Sequence, residues 1–345
     1  MTMRRAIVAL MAGSVLLSGC VVAALPVVAA AGIGKRTIDR QDRNKRKARA
    51  DAAAPRAQAK LPSPGGAAAA AARPGPAAVP PEMQYLYGSG EAAAISLQAY
   101  RALWNFLRIE ISYRRDKTKI SSVVLSPGST LASPKFDTCG KRPLAVVLDV
   151  DETSLLNLGF ESYNARRGAT YDPTRWARWE ETGADKVVAV PGAADTLAAA
   201  RSEGFAVIFN SNRSAATAGR TAAALEGAGL GPAVLGETLF LRGEGAPSGK
   251  DERRWRIAQK YCVVAMVGDQ LGDFTDLFNL PDNNVLARRN MTSESLLAPL
   301  WGAGWFVLPN PVYGSALHGG IDDVFPKHKQ WDDPDPAAPA PAPQK

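Results

Sequence analysis

Histidine is nearly missing from this sequence: its 345 residues include two, His318 and His328, both near the C-terminus. Two imidazoles cannot supply a nucleophile, a base and several metal ligands, which excludes histidine phosphatases and His-rich dinuclear hydrolases. Cysteine is scarce too, limited to Cys20, Cys139 and Cys262. Any catalysis by this chain must rest mostly on carboxylates. The length suits one large domain or two small ones.

Positive charge is plentiful only locally. The formal net charge is +8, yet residues 20–80 alone carry +8 and residues 81–345 carry −2. A basic tail on a slightly acidic body argues against a specific nucleic-acid surface, unless the tail alone binds polyanions. The tail follows Arg4 and Arg5, an apolar run from Ala6 to Leu17, and Leu17-Ser18-Gly19-Cys20. That order of basic start, apolar core and small residues before cysteine resembles the lipobox of bacterial lipoproteins. The resemblance implies a signal peptide at 1–19, lipidation of Cys20 and membrane attachment. Val21, rather than Asp, implies outer-membrane delivery in a Gram-negative cell. The other reading is an uncleaved anchor, since Val21 to Gly34 is also apolar apart from Pro26.

Residues 20–81 beyond Cys20 are basic and then Ala/Pro-rich, without apolar periodicity, and read as a disordered tether. The basic cluster at 35–49 could rest on anionic headgroups or be only a solubilising charge run. Residues 331–345 read as a second disordered tail. The folded body is expected at 82–330.

Within the body, Glu91 to Tyr113 has helical spacing. Three apolar runs then end in polar residues: Leu144 to Leu148 before Asp149, Phe205 to Phe209 before Asn210, and Cys262 to Val267 before Gly268-Asp269. Helical stretches at Ala193–Arg201, Ala215–Glu226 and Asp251–Lys260 separate or flank them. The pattern predicts an α/β fold, a Rossmann-like parallel sheet flanked by helices. Ligands bind outside the carboxyl ends of such strands, so the polar endings should converge. Asp149 and Asp151 would repel each other severely there without a cation. Ser211 and Asn212, expected beside a helix start, suit phosphate oxygens. Asp269 and Asp273 add negative charge, and Lys250 offers a cation for a transferring phosphoryl group. Oxygen donors without His or Cys clusters select a hard ion such as Mg²⁺.

On LDVDETSLLN (148–157), YDPTRWARWEETGADKVVAVPGA (171–193), NSNR (210–213), VGDQLGDF (267–274) and LPNPVYGS (308–315), the chain resembles the haloacid dehalogenase superfamily. It is similar in particular to the class C acid phosphatases of the outer-membrane lipoprotein type. The resemblance implies a small, mainly helical cap at about 158–190. It implies that Asp149 attacks phosphorus to form an aspartyl-phosphate, and that Asp151 protonates the leaving oxygen and then activates water. Mg²⁺ would be held by Asp149, the main-chain carbonyl of Asp151 and Asp269. Asp273 would orient those ligands or else cap a helix. Ser211, Asn212 and Lys250 would bind the phosphoryl group. Trp176 and Tyr313 match positions that stack on a nucleobase or nicotinamide ring, or else are core.

Glu152 and Thr153 are expected to be turn and helix-start residues, Trp179 core, Arg213 a local anchor, and His318 structural or solvated. Val150, Ser154, Phe160, Asn210 and Gln270 depart from the family pattern. In the implied fold the strand after Cys139 and the strand begun by Cys262 are neighbours, with both thiols away from the site. A disulfide between them is a hypothesis that an exported compartment permits. The implied activity is a Mg²⁺-dependent phosphomonoesterase acting on small phosphate esters, nucleoside 5′-monophosphates among them. The alternatives are a phosphotransferase to alcohols, or a non-catalytic binding or storage lipoprotein.

Overall fold

A long helix precedes the sheet. Helix α1 (Gly90–Arg115) starts where the Ser89 side chain accepts from the Ala92 N–H, which satisfies one orphan donor of the first turn. Its Tyr100, Leu103 and Leu107 fall on one stripe and are all buried, as a helix laid on a core requires. The computed structural model describes residues 78–332, so the expected leader, Cys20, most of the tether, and the tail from residue 333 lie outside the described residues. A short helical turn begins at Pro81, one residue before the expected edge of the body.

A hairpin of β1 (Ser121–Leu125) and β2 (Phe136–Thr138) follows, then β3 (Leu144–Leu148). After β4 (Leu155–Leu156), the region expected to form a cap contains α2 (Leu158–Arg167), α3 (Pro173–Thr182) and β5 (Val188–Ala189), with β4 and β5 paired antiparallel. The chain continues through α4 (Ala193–Ser202), β6 (Ala206–Ser214), α5 (Ala218–Gly227), β7 (Leu239–Arg242), α6 (Asp251–Lys260), β8 (Cys262–Gly268), α7 (Val285–Glu294) and β9 (Trp305–Val307). Five strands form one parallel sheet in the order β7-β6-β3-β8-β9.

The sheet is covered on both faces, which is why its strands read as continuous apolar runs. Val146, Leu148, Val207 and Phe209 pack with α1, α4 and α5. Ala145, Val147, Ile208 and Met266 point the other way, against the β1 strand, Ile257 of α6, Phe274, Phe278 and Trp305. From central β3 the chain first moves outward to β6 and β7, then returns to the opposite side at β8. The carboxyl ends of β3 and β8 therefore form a switch point, where a crevice opens in such sheets.

At the other end of the sheet, Leu144 pairs with Cys262, and Cys139 and Cys262 are joined by a disulfide with Cα atoms 5.0 Å apart. One expectation fails. Ser211 does not sit directly beside a helix start, because β6 runs on to Ser214 before a 3₁₀ turn at Ala215–Thr217 leads into α5. The strand continues because it gains further pairing with β7, between Asn210 and Phe240 and between Ser214 and Arg242.

Candidate active site

The polar endings do converge. Carboxylate oxygens of Asp149, Asp269 and Asp273 lie within 4.8 Å of one another. Lys250, buried at the start of α6, donates to Asp149 Oδ1 at 2.5 Å and to Asp273 Oδ1 at 2.7 Å. Three acids around one ammonium leave the cluster negative if all ionise. Burial and the neighbouring Asp273 push Asp269 up to about 7. Burial likewise raises Asp149 well above the usual carboxylate range, against the opposing pull of Lys250. Burial alone would lower the Lys250 ammonium, but Asp149 and Asp273 outweigh it and push it up to about 12. Such a cluster stores repulsion that a bound cation would relieve.

The Asp273 carboxylate lies in the trio itself. Its Oδ2 also accepts from the Gln270 N–H in a capping box, so the capping alternative is realised as well. Asp269 is held by three donors: Thr153 Oγ1 at 2.7 Å, Asn310 Nδ2 at 2.8 Å and Gln270 Nε2 at 3.0 Å. Asp151 stands outside the trio. Its carboxylate pairs with Arg213 at 2.7 Å and approaches Ser211 Oγ at 3.5 Å.

Glu152 is more than a turn residue. Its left-handed φ of 51° is costly for a residue with a side chain, and its buried carboxylate is fixed from three directions. It accepts from Tyr87 ahead of α1, from Tyr313 after β9, and from the backbone and side chain of Asn157. Desolvation, then the adjacent Asp151, raise it to about 7. Thr153 likewise acts across the site through Asp269.

Several of the expected site residues also have protein partners. Asn212 donates its amide to Ser248 O and accepts from Arg253 with its carbonyl. Trp176 is half-buried: its N–H donates to Glu180, and its ring meets Phe160 edge to face. Half-buried Trp179 fills the space beside Gly159 and Gly183, where a Cβ would collide with its ring. Tyr313 turns its hydroxyl to Glu152. His318 is exposed, and Arg213 pairs with Asp151 and Asn157.

The departures from the family pattern have local partners. Ser154 Oγ donates to the Asp149 carbonyl at 2.6 Å. Asn210 Oδ1 accepts from buried Arg253 at 2.7 Å. Phe160 packs against both Trp176 and Trp179.

Residues 112–316 match the family described as HAD superfamily, subfamily IIIB (Acid phosphatase), and so the chain belongs to that family of phosphomonoester hydrolases. Among solved structures, the class C acid phosphatase from Bacillus anthracis is 24% identical, with 68% of this chain and 84% of that chain covered at a TM-score of 0.52. The same enzyme with tungstate bound is 23% identical, with 74% and 96% covered at 0.53. At these identities the likeness establishes the fold: this chain is an acid phosphatase folded as the class C enzymes are.

Proposed function

We propose that the protein hydrolyses small phosphate monoesters through a covalent phosphoryl-Asp149, with Mg²⁺ as its metal. The observation that carries this reading is the buried grouping of Asp149, Asp269 and Asp273 around Lys250 at the switch point of the sheet. Three hard oxygen donors with excess negative charge fit a hard divalent cation. Asp149, Asp269 and Asp273 would hold it, together with the Asp151 carbonyl that the resemblance implies. When bound, it supplies charge neutralisation at the phosphoryl oxygens.

The chain's own residues do the rest. An Asp149 oxygen forms a bond to phosphorus while the bond to the leaving oxygen breaks. That oxygen keeps the electron pair and takes a proton from Asp151. Asp151 then accepts a proton from water as the water oxygen bonds phosphorus and the Asp149–phosphorus bond breaks. Lys250 and Ser211 orient and neutralise the phosphoryl group. Tungstate in the Bacillus anthracis relative is a tetrahedral oxyanion like phosphate, which supports anion binding here. The half-buried rings of Trp176 and Tyr313 support nucleoside 5′-monophosphates among the substrates. The N-terminal pattern supports lipidation at Cys20 and an outer-membrane tether.

The test is phosphate release from a panel of monoesters by the purified protein, with Mg²⁺ and with EDTA, beside Asp149→Asn. Metal-dependent release lost in the variant is expected. Release that survives EDTA or the substitution would refute the assignment. Phosphorylated alcohol among the products when an acceptor is added would favour group transfer over hydrolysis.

A further inference from the structure

Asp151 has two unlike oxygens. Oδ1 accepts three donors, from Arg213 Nη2 at 2.7 Å, Arg213 Nε at 2.9 Å and Asn157 Nδ2 at 2.9 Å. Oδ2 has only long contacts, from Arg213 Nε at 3.3 Å and Ser211 Oγ at 3.5 Å. Each carboxylate oxygen offers about two lone-pair sites. Oδ1 is therefore filled, and Oδ2, the oxygen on the Ser211 side, is the one left free to meet a reacting group.

Arg213 is itself held rigidly. Its side chain is 3% exposed, its Nη2 also donates to Asn157 Oδ1 at 2.8 Å, and its backbone N–H donates to Ser211 Oγ at 3.2 Å. The Trp176 ring lies 5.8 Å from its guanidinium carbon. Trp176 is fixed by Glu180 Oε1, whose partner oxygen Oε2 takes the Ser214 N–H and the Thr217 hydroxyl. Helix α3 of the cap region thus braces the arginine, and the arginine braces the carboxyl.

We propose that Arg213 is a positioning residue for proton transfer: by clamping Oδ1 it leaves Oδ2 as the one oxygen that carries the proton to the leaving group. This rests on the reading of Asp151 as the acid. In the step concerned, the phosphorus–oxygen bond to the leaving group breaks, its electron pair stays on that oxygen, and the Oδ2 proton bonds there. A weakly basic aryl oxide departs without that proton, whereas an alkoxide needs it.

The experiment is therefore a ratio. kcat/KM is measured for ethyl phosphate and for 4-nitrophenyl phosphate with the wild type, Asp151→Asn, Arg213→Lys and Arg213→Met, each in one preparation so that any loss of folded protein cancels. General acid catalysis contributes roughly 10²–10⁴-fold, so Asp151→Asn should lower the alkyl-to-aryl ratio by about 100-fold or more. Arg213→Met should lower it by at least about tenfold. Arg213→Lys keeps the charge but loses the planar fork, so it should lower the ratio less than methionine does. If methionine prevents folding, lysine decides the matter, with an unchanged ratio overturning the proposal.

If both arginine variants slow the two substrates equally while Asp151→Asn alone changes the ratio, Arg213 is merely structural; the proposal then fails and the acid assignment stands. If Asp151→Asn leaves the ratio unchanged, the acid assignment fails and the proposal falls with it.

Discussion

Replacing Cys139 and Cys262 together by alanine separates stability from chemistry in this protein. The disulfide closes a loop with a sequence separation of 123 residues. The chain-entropy relation assigns such a loop about 5 kcal/mol, with native disulfides typically contributing about 2–5 kcal/mol. Whole domains are stable by only about 5–15 kcal/mol, so the loss should be large in urea unfolding extrapolated to water. Catalysis should be spared. Cys262 opens β8 opposite Leu144, the first residue of β3, and the five residues of β3 at about 3.3 Å each put roughly 15 Å between the disulfide and Asp149. The expected result is a stability loss of at least about 2 kcal/mol with kcat/KM within about twofold of wild type, assayed where both proteins are folded. A loss below about 1 kcal/mol would show that the bond does not constrain the chain. A collapse of kcat/KM in folded protein would show that the two ends of the sheet are coupled.

Lys250→Met should leave Asp149 and Asp273 facing each other without their shared cation. Breaking a buried pair costs about 3–5 kcal/mol, readable by urea unfolding in EDTA, and losing one preorganised charge should lower kcat by about 10²–10³-fold. Glu152 has its carboxyl raised from the ordinary 4.5 to about 7, so the folded state holds its proton over a range where the unfolded state has lost it. Stability therefore falls as pH rises from about 4.5 to 7 and is level above, by about 3 kcal/mol for that one group. Glu152→Gln removes this dependence, so the wild type minus variant difference in unfolding free energy, measured without metal, should fall over that window; a flat difference would contradict the burial argument.

Much of the site was legible because its residues end apolar strands. Strand β3 and helix α6 have the bounds that the pattern gave, β8 extends that pattern by Gly268 alone, and Asp149, Asp269 and Asp273 follow from them with Lys250. Short elements were not legible. Strand β9 has three residues and β4 and β5 two each, too few for a periodicity to emerge, and they exist through pairing with partners far along the chain. Ser211 misled for a similar reason: only the β7 pairing shows that the strand passes through it. Thr153 and Asn310 lay inside the motif stretches, yet their shared partner Asp269 is visible only in three dimensions. Glu152 gathers Tyr87, Asn157 and Tyr313 from three separate segments, and no local signal connects them. Arg213 was expected to anchor local structure, but that its partner is Asp151, 62 residues earlier, is visible only in the fold.

The most direct test of the central claim is to catch the phosphoryl group on Asp149. Asp151→Asn, turning over a 4-nitrophenyl ester, should lack the base that activates water, so acid quenching followed by peptide mass analysis should find one added phosphoryl group on the peptide containing Asp149. An unmodified peptide from enzyme that is demonstrably releasing nitrophenol in a burst, or a phosphoryl group on another residue, would contradict the account.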